Sequence, residues 1–366
     1  MYSKKILKKA QRYLNSRKGD QQFILTSELS VIVFLLFGFG SVGAQTFRTY
    51  AGEFLYLGAG ARSLAMGGAA ISTVDDASSG YWNPAGLSQL QYPTITGMHE
   101  ARFDNTVQHD FAALAFPVGK DGGASISVLH IGISNIKDTR SALIDRNGDG
   151  ILNGDDYIDY SKVTSFGNYD WGVLFSYGQK KDSLFSYGAT VKVVFRKLDA
   201  DNHATGFGID FGLRYHPTPE LTLAAMGQDI TTTLLSYSSG TKELVSPTLK
   251  LGASYLWDIS SDMNHTLLPA IEADIRFENL RSISEIHVGP LSSDFHFGLE
   301  YRFKRLIALR AGYNDLKMFT IGAGVRLPRL SIDYAFQSFN GQDQLGNTHR
   351  ISFSLALEQE KWKRKQ

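Results

Sequence analysis

Between residues 93 and 358, apolar and polar side chains alternate with a period of two in one segment of about ten residues after another. A period of two sends successive side chains to opposite faces of a β-strand, so this pattern limits the fold more than any other feature. From 206 to 215, Phe207, Ile209, Phe211, Leu213 and Tyr215 alternate with Gly208, Asp210, Gly212 and Arg214. From 293 to 304, Phe295, Phe297, Leu299, Tyr301 and Phe303 alternate with His296, Gly298, Glu300, Arg302 and Lys304. The same reading gives fourteen strands, near 93–101, 109–118, 122–133, 168–180, 184–198, 204–216, 219–229, 246–258, 265–277, 293–304, 305–314, 317–327, 329–339 and 347–358.

A soluble sandwich or propeller also alternates, but it turns its polar face to water. Here one face is long and aromatic, and the opposite face carries twelve charges: Lys192, Arg196, Asp210, Arg214, Glu272, Asp274, Arg276, Glu300, Arg302, Arg310, Arg326 and Asp333. Mixed charges are costly in a dry core, yet they suit a hydrated or ion-paired lumen. The composition of 36 Gly, 17 Tyr and 23 Phe fits a wall with aromatic girdles, to which Trp171, Tyr255, Trp257 and Tyr301 are assigned. The three longest gaps, 134–167, 230–245 and 278–292, follow the odd strands three, seven and nine; gaps after even strands are mostly tight turns. That is the loop pattern of an even-numbered barrel with both ends in the periplasm. The expectation is an all-β, about fourteen-stranded antiparallel transmembrane β-barrel (93–358) in the cell outer membrane, with outer-membrane lipid as its surroundings.

The start of the chain fits export. Lys4, Lys5, Lys8, Lys9, Arg12, Arg17 and Lys18 precede an apolar run from Val31 to Gly40, and Val42-Gly43-Ala44 supplies small residues for cleavage before Gln45. Residues 1–44 are therefore expected to be a signal peptide. After them no apolar stretch approaches the roughly 20 residues of a spanning helix, so a membrane crossing falls to strands. The remainder holds 30 basic and 34 acidic residues, which gives no reason to expect nucleic acid. Without a single cysteine, thiolate metal sites, disulfides and a lipidated N-terminal Cys are excluded.

Residues 45–92 lack alternation and are rich in small residues. Asn83 is placed to cap a short helix that begins at Pro84 and runs through Gln89. Gly58, Gly60, Gly67 and Gly68 allow tight bends and close approach to another backbone. Such a segment ahead of a barrel is suited to fold back into it as a hatch; a periplasmic leader is the alternative. The run GEFLYLGAGARSLAMGGAAISTVDDASSGYWNPAGLSQL resembles the N-terminal signature of the PorV/PorQ family, relatives of the FadL-type outer-membrane transporters. Both groups share an NPAG element, here Asn83, Pro84, Ala85 and Gly86. The resemblance is specific over 52–92 and architectural beyond. It implies an outer-membrane location and an N-terminal hatch. PorV-like members assist type IX secretion by contacting the C-terminal signal domain of exported cargo, whereas FadL-like members pass hydrophobic molecules. This chain departs from the pattern in its charged inward faces, which disfavour a greasy conduit and place transport second. It departs also in a basic periplasmic tail, 359–366, where many barrels finish on an aromatic residue. Within that tail Trp362 is open to three readings: contact with lipid headgroups, contact with a partner, or simply a disordered tail.

The longest expected outside loop contains DRNGDGILNGDD, residues 145–156. Asp145, Asn147 and Asp149 occupy positions one, three and five of a twelve-residue calcium loop, Gly150 position six, the carbonyl of Ile151 seven, Asn153 nine and Asp156 twelve. This resembles dockerin-type loops with Asp at the last position, and makes Ca2+ the expected structural cofactor. Nothing points to catalysis: the nine histidines are scattered, and neither HExxH, G-x-S-x-G nor a phosphate loop occurs.

Overall fold

The computed structural model describes residues 52–103, 106–146, 148–154, 156–199, 202–260, 262, 264–277, 285–289, 291–338 and 347–364. The expected signal peptide, its cleavage point and Asn147 lie outside the described residues.

Fourteen wall strands run in chain order: β1 (Thr94–Arg102), β2 (Val107–Val118), β3 (Gly122–Asp138), β4 (Thr164–Lys180), β5 (Phe185–Lys197), β6 (His203–Tyr215), β7 (Leu221–Gln228, resuming as Thr233–Tyr237), β8 (Lys242–Val245, resuming as Thr248–Tyr255 and Trp257–Asp258), β9 (His265–Arg276), β10 (Leu291–Phe303), β11 (Ile307–Tyr313), β12 (Phe319–Arg326), β13 (Leu330–Gln337) and β14 (Thr348–Ala356). Each pairs antiparallel with the next, and β14 returns to β1, from Thr94↔Ala356 through Ala101↔His349. Closure leaves the fourteen-stranded wall without an edge among the described residues, which is what hydrocarbon demands, since an unpaired backbone group has no water there to bond. Beyond the wall, Ile286–Val288, within the expected gap 278–292, pairs with the start of β10. The alternation read from sequence is the in–out alternation of the wall: Phe207 (51% exposed) and Ile321 (57%) project outward, whereas Asp210 (2%) and Glu300 (0%) are buried inside.

Two expected loops are partly wall. Strand β3 continues to Asp138 and β4 begins at Thr164, past a register shift between Ile133 and Ile136 where Asn135 has φ 58°. The expected gap 230–245 contains a paired ladder, Thr233↔Val245 to Ser236↔Lys242, beyond a break at Asp229–Thr232 whose end residues have φ 56° and 59°. Both corrections share a cause. A bulge inserts extra residues and restarts the period-two pattern out of phase, so strict alternation ends early.

One end of the barrel carries the short connections 119–121, 181–184, 216–220, 259–264, 304–306 and 327–329 and is called the turn end; the long connections lie at the loop end. The longest, 139–163, is pinched by a two-stranded ribbon of Leu143–Ile144 with Tyr157–Ile158.

Residues 52–90 lie inside the barrel as short turns of helix: a 3-10 turn Glu53–Tyr56, α1 (Ala61–Ala65), α2 (Ser79–Trp82) and a second 3-10 turn Pro84–Gln89. Asn83 caps the last of these, its Oδ1 accepting from the Ala85 N–H at 3.1 Å, with Pro84 in the first turn as expected. The segment is mostly buried. On one flank its Phe54, Leu55, Tyr81, Trp82 and Leu87 pack with Met98, Phe111, Leu129, Leu174, Val194 and Leu235 of the wall into an apolar cluster. After β14 the chain folds back under the turn end, where Leu357 N donates to Pro93 O (2.8 Å) and Arg364 N to Gln91 O (2.9 Å).

Candidate functional site

The interface between hatch and wall is built first from glycine. Gly123, Gly178, Gly188 and Gly212 stand side by side on β3, β4, β5 and β6, in register as Gly123↔Gly178, Gly178↔Gly188 and Gly188↔Gly212. The NPAG element lies on this ladder. A Cβ on Gly123 would meet Leu87 O at 2.0 Å, one on Gly178 would meet Pro84 O at 2.1 Å, and one on Gly212 would meet Asn83 Oδ1 at 2.2 Å. Any other residue at these positions would push the hatch off the wall. Asn83 adds hydrogen bonds from Nδ2 to Ile71 O (3.2 Å) and Leu213 O (3.1 Å). Across the lumen, Gly298 and Gly312 are paired on β10 and β11, and their added Cβ atoms would meet Met66 O at 2.6 Å and Gly67 N at 2.1 Å. Gly67 itself has φ 65°.

The second component is charge. Glu300 receives Arg62 Nε of the hatch (2.9 Å), Arg302 Nε (2.6 Å) and Arg310 Nε (2.5 Å), while Arg310 also bonds Asp333 (2.7 Å). Arg62 continues to Asp75 (3.1 Å), which Arg326 approaches at 3.5 Å. Glu272 accepts the hatch N–H groups of Ala70 (2.8 Å) and Ile71 (3.0 Å), and Lys250 pairs with Asp274 beside it. Among the described residues Arg214 has no carboxylate at hydrogen-bond distance; its Nε and Nη2 donate to Ile71 O (3.1 and 2.9 Å). Lys192 bridges Asp210 (2.8 Å) and Asp229 (2.6 Å), and Tyr56 of the hatch donates to Asp229 (2.9 Å). Arg196 pairs with Asp170 (2.9 Å) and Arg276 with Asp294 (3.3 Å) nearer the loop end. Of the twelve residues expected inside, Lys192, Asp210, Arg214, Glu272, Asp274, Glu300 and Arg310 are buried, Arg196, Arg276, Arg302 and Asp333 half-buried, and Arg326 exposed at the turn end.

Sequence reasoning overlooked Glu100 and Arg350. Arg350 donates to Glu100 (2.7 Å), to Leu57 O (2.9 Å) and to Gly60 O (3.3 Å), fixing the start of the hatch, and His109 Nδ1 lies 3.0 Å from Glu100. The run 93–101 had given only weak alternation, whereas Arg350 holds an inward place beside the clean run Ile351, Phe353, Leu355 and Leu357 and was passed over there. The glycine ladder was legible in part, because Gly212 occupies an inward place in 206–215.

In the loop 145–156, a carboxylate oxygen from each of Asp145, Asp149 and Asp156 lies within 4.8 Å of the others. Asp145 accepts the N–H groups of Gly148 and Gly150, and Asn153 Nδ2 donates to Asp149 (2.8 Å). The convergence of all-oxygen donors fits a hard divalent cation.

This geometry defines a closed fourteen-stranded β-barrel with an N-terminal segment seated in its lumen. No family model and no curated protein sequence matches the chain. Among solved structures, the toluene transporter TbuX of Ralstonia pickettii aligns with TM-score 0.51 and 14% identity over 82% of this chain and 99% of its own. The P. putida toluene transporter TodX gives 0.51 and 14% over 83% and 99%. The CymD monoaromatic hydrocarbon channel gives 0.50 and 13% over 82% and 98%. At such identities the likeness is one of fold.

Proposed function

We propose that this chain is a non-enzymatic outer-membrane barrel of the PorV/PorQ type, exported by residues 1–44 and assisting type IX secretion or surface attachment of exported proteins through their signal domains. The observation that carries this reading is the fastening of the hatch. Arg62–Glu300, Arg350 with the Leu57 and Gly60 carbonyls, and Glu272 with two hatch N–H groups tie it to widely separated strands. A lumen filled with ion pairs and main-chain contacts is a poor path for hydrocarbon and a stable base for a protein partner. Deleting the gene and measuring the surface proteome tests it. Proteins bearing type IX signal domains should fall at the surface and accumulate in the periplasm; normal surface levels would refute the proposal.

A second reading, transport of hydrophobic or small molecules, draws support from the fold shared with the toluene transporters and from the apolar cluster along β1–β5. Loss of hydrophobic-substrate uptake in the deletion strain, with export intact, would favour it.

The loop 145–156 is proposed to bind Ca2+ through Asp145, Asn147, Asp149, the Ile151 carbonyl, Asn153 and Asp156, a structural role that orders the outside loop. Titration calorimetry of the refolded barrel should show calcium heat that Asp145→Ala abolishes. No heat from the parent protein would remove the site.

A further inference from the structure

Arg364 lies beyond the last strand, in a tail that sequence alone leaves without a role, yet it is only 8% exposed. Its guanidinium reaches two distant parts of the chain. Nε donates to Leu90 O (2.7 Å), at the point where the hatch leaves the lumen, and Nη1 donates to Lys120 O (2.9 Å), in the turn between β2 and β3. Its own N–H adds the bond to Gln91 O (2.9 Å). Among the described residues no carboxylate lies within ion-pair distance of Arg364, and Nη2 is buried without a partner. Burying a guanidinium without a carboxylate carries a desolvation cost that charge-assisted hydrogen bonds to carbonyls offset, so the contacts at Arg364 hold only while the segments supplying those carbonyls stay together. The segments joined here are the hatch exit, a wall turn and the C-terminus. From the opposite side, Gln89 Nε2 lies 2.8 Å from His216 Nε2, whose Nδ1 is 3.0 Å from Thr222 Oγ1, so the exit is held from two sides.

We infer that the C-terminal tail is a strap across the turn end of the barrel, with Arg364 locking the hatch exit in place. The hatch then has two independent kinds of restraint: the glycine seams and ion pairs deep in the lumen, and a removable one at its exit. The strap can be displaced without breaking a wall strand, because residues 357–364 lie outside the barrel ladder. Trp362, 40% exposed with Lys361 over its ring, takes no part through its side chain in the locking hydrogen bonds and leaves a handle by which the strap could be drawn off. This inference does not depend on whether the barrel serves export or transport.

The absence of cysteine makes a clean test possible. Ser88→Cys places one thiol at a fully buried hatch position next to the exit. In purified full-length protein in detergent, a water-soluble maleimide should label it slowly. Adding Arg364→Ala, or removing residues 359–366, should raise the labelling rate about tenfold or more, as expected when a charge-assisted contact that holds a local closed state is lost. The folded barrel should still migrate as the compact form on unheated gels. Trp362→Ala should leave labelling slow. Equal labelling with and without Arg364 in a folded barrel would overturn the inference. Hydrogen exchange of the unaltered chain gives a second reading that needs no variant to fold: residues 84–92 and 357–364 should open together with similar protection, and a fast-exchanging tail over a protected exit would overturn it equally.

Discussion

Glu300 has no solvent contact and faces three guanidinium groups, one from the hatch and two from the wall. A buried pair of this kind contributes little net stability while intact, because desolvation offsets the attraction; removing one member leaves the others uncompensated. Glu300→Gln should therefore cost about 3–5 kcal/mol of folding free energy, read as a lower denaturant midpoint in detergent. A variant within experimental error of the parent would mean that water reaches Arg62, Arg302 and Arg310. Arg62→Met should be milder, since the wall arginines still balance Glu300, and its main effect should be faster proteolysis within residues 52–90. At this scale the sequence told only part of the story. Alternation identified most of the twelve charges named from it as inward but missed Glu100, Arg350, Asp170, Asp229, Lys250 and Asp294. It could not show that Glu300 would gather three arginines or that Arg214 would bond a carbonyl in place of a carboxylate, since both depend on where the hatch chain passes.

At the scale of elements, four glycines on consecutive strands act as one surface. Gly188→Val would set two extra branches against Pro84, whose carbonyl carbon would lie 2.6 Å from a Cβ there. Overpacking of this sort costs about 1–3 kcal/mol, and here the cheaper adjustment is for the hatch to move, not the paired wall. The expected outcome is a folded barrel whose hatch is cut by protease at low enzyme concentration; an uncut hatch would show that the ladder is incidental. The strands were readable because each has one face in contact with hydrocarbon, which enforces the period of two. Where a bulge broke that period, at Asn135 and at Asp229–Thr232, the strand continued and the reading stopped. The capped turn at Asn83-Pro84 was legible because capping is local chemistry; the docking of the turn on Gly178 and Gly188 was not, because it joins residues about a hundred positions apart.

For the whole molecule, the outward face sets the surroundings. Phe211, Val191, Ile271 and Phe297 stand exposed around the wall, and a charge placed among them is opposed by lipid alone. Phe211→Arg should destabilise the barrel in a bilayer by about 2–4 kcal/mol if that position lies near the midplane, and by much less near either interface. Among the described residues, the opposed hatch seams and the ion pairs between hatch and wall set packed side chains across the lumen, and any transported molecule would have to pass between them.

Spin labels provide the most direct examination of this account. With no native cysteine to interfere, single cysteines at Phe207, Ile209, Asp210, Phe211, Leu213 and Arg214, labelled and reconstituted into liposomes, report collisions with dissolved oxygen and with a water-soluble nickel chelate. High oxygen and low nickel accessibility are expected at Phe207, Ile209, Phe211 and Leu213, and low oxygen accessibility at Asp210 and Arg214. Uniform accessibility along the strand, or strong nickel contact at the aromatic positions, would contradict the account.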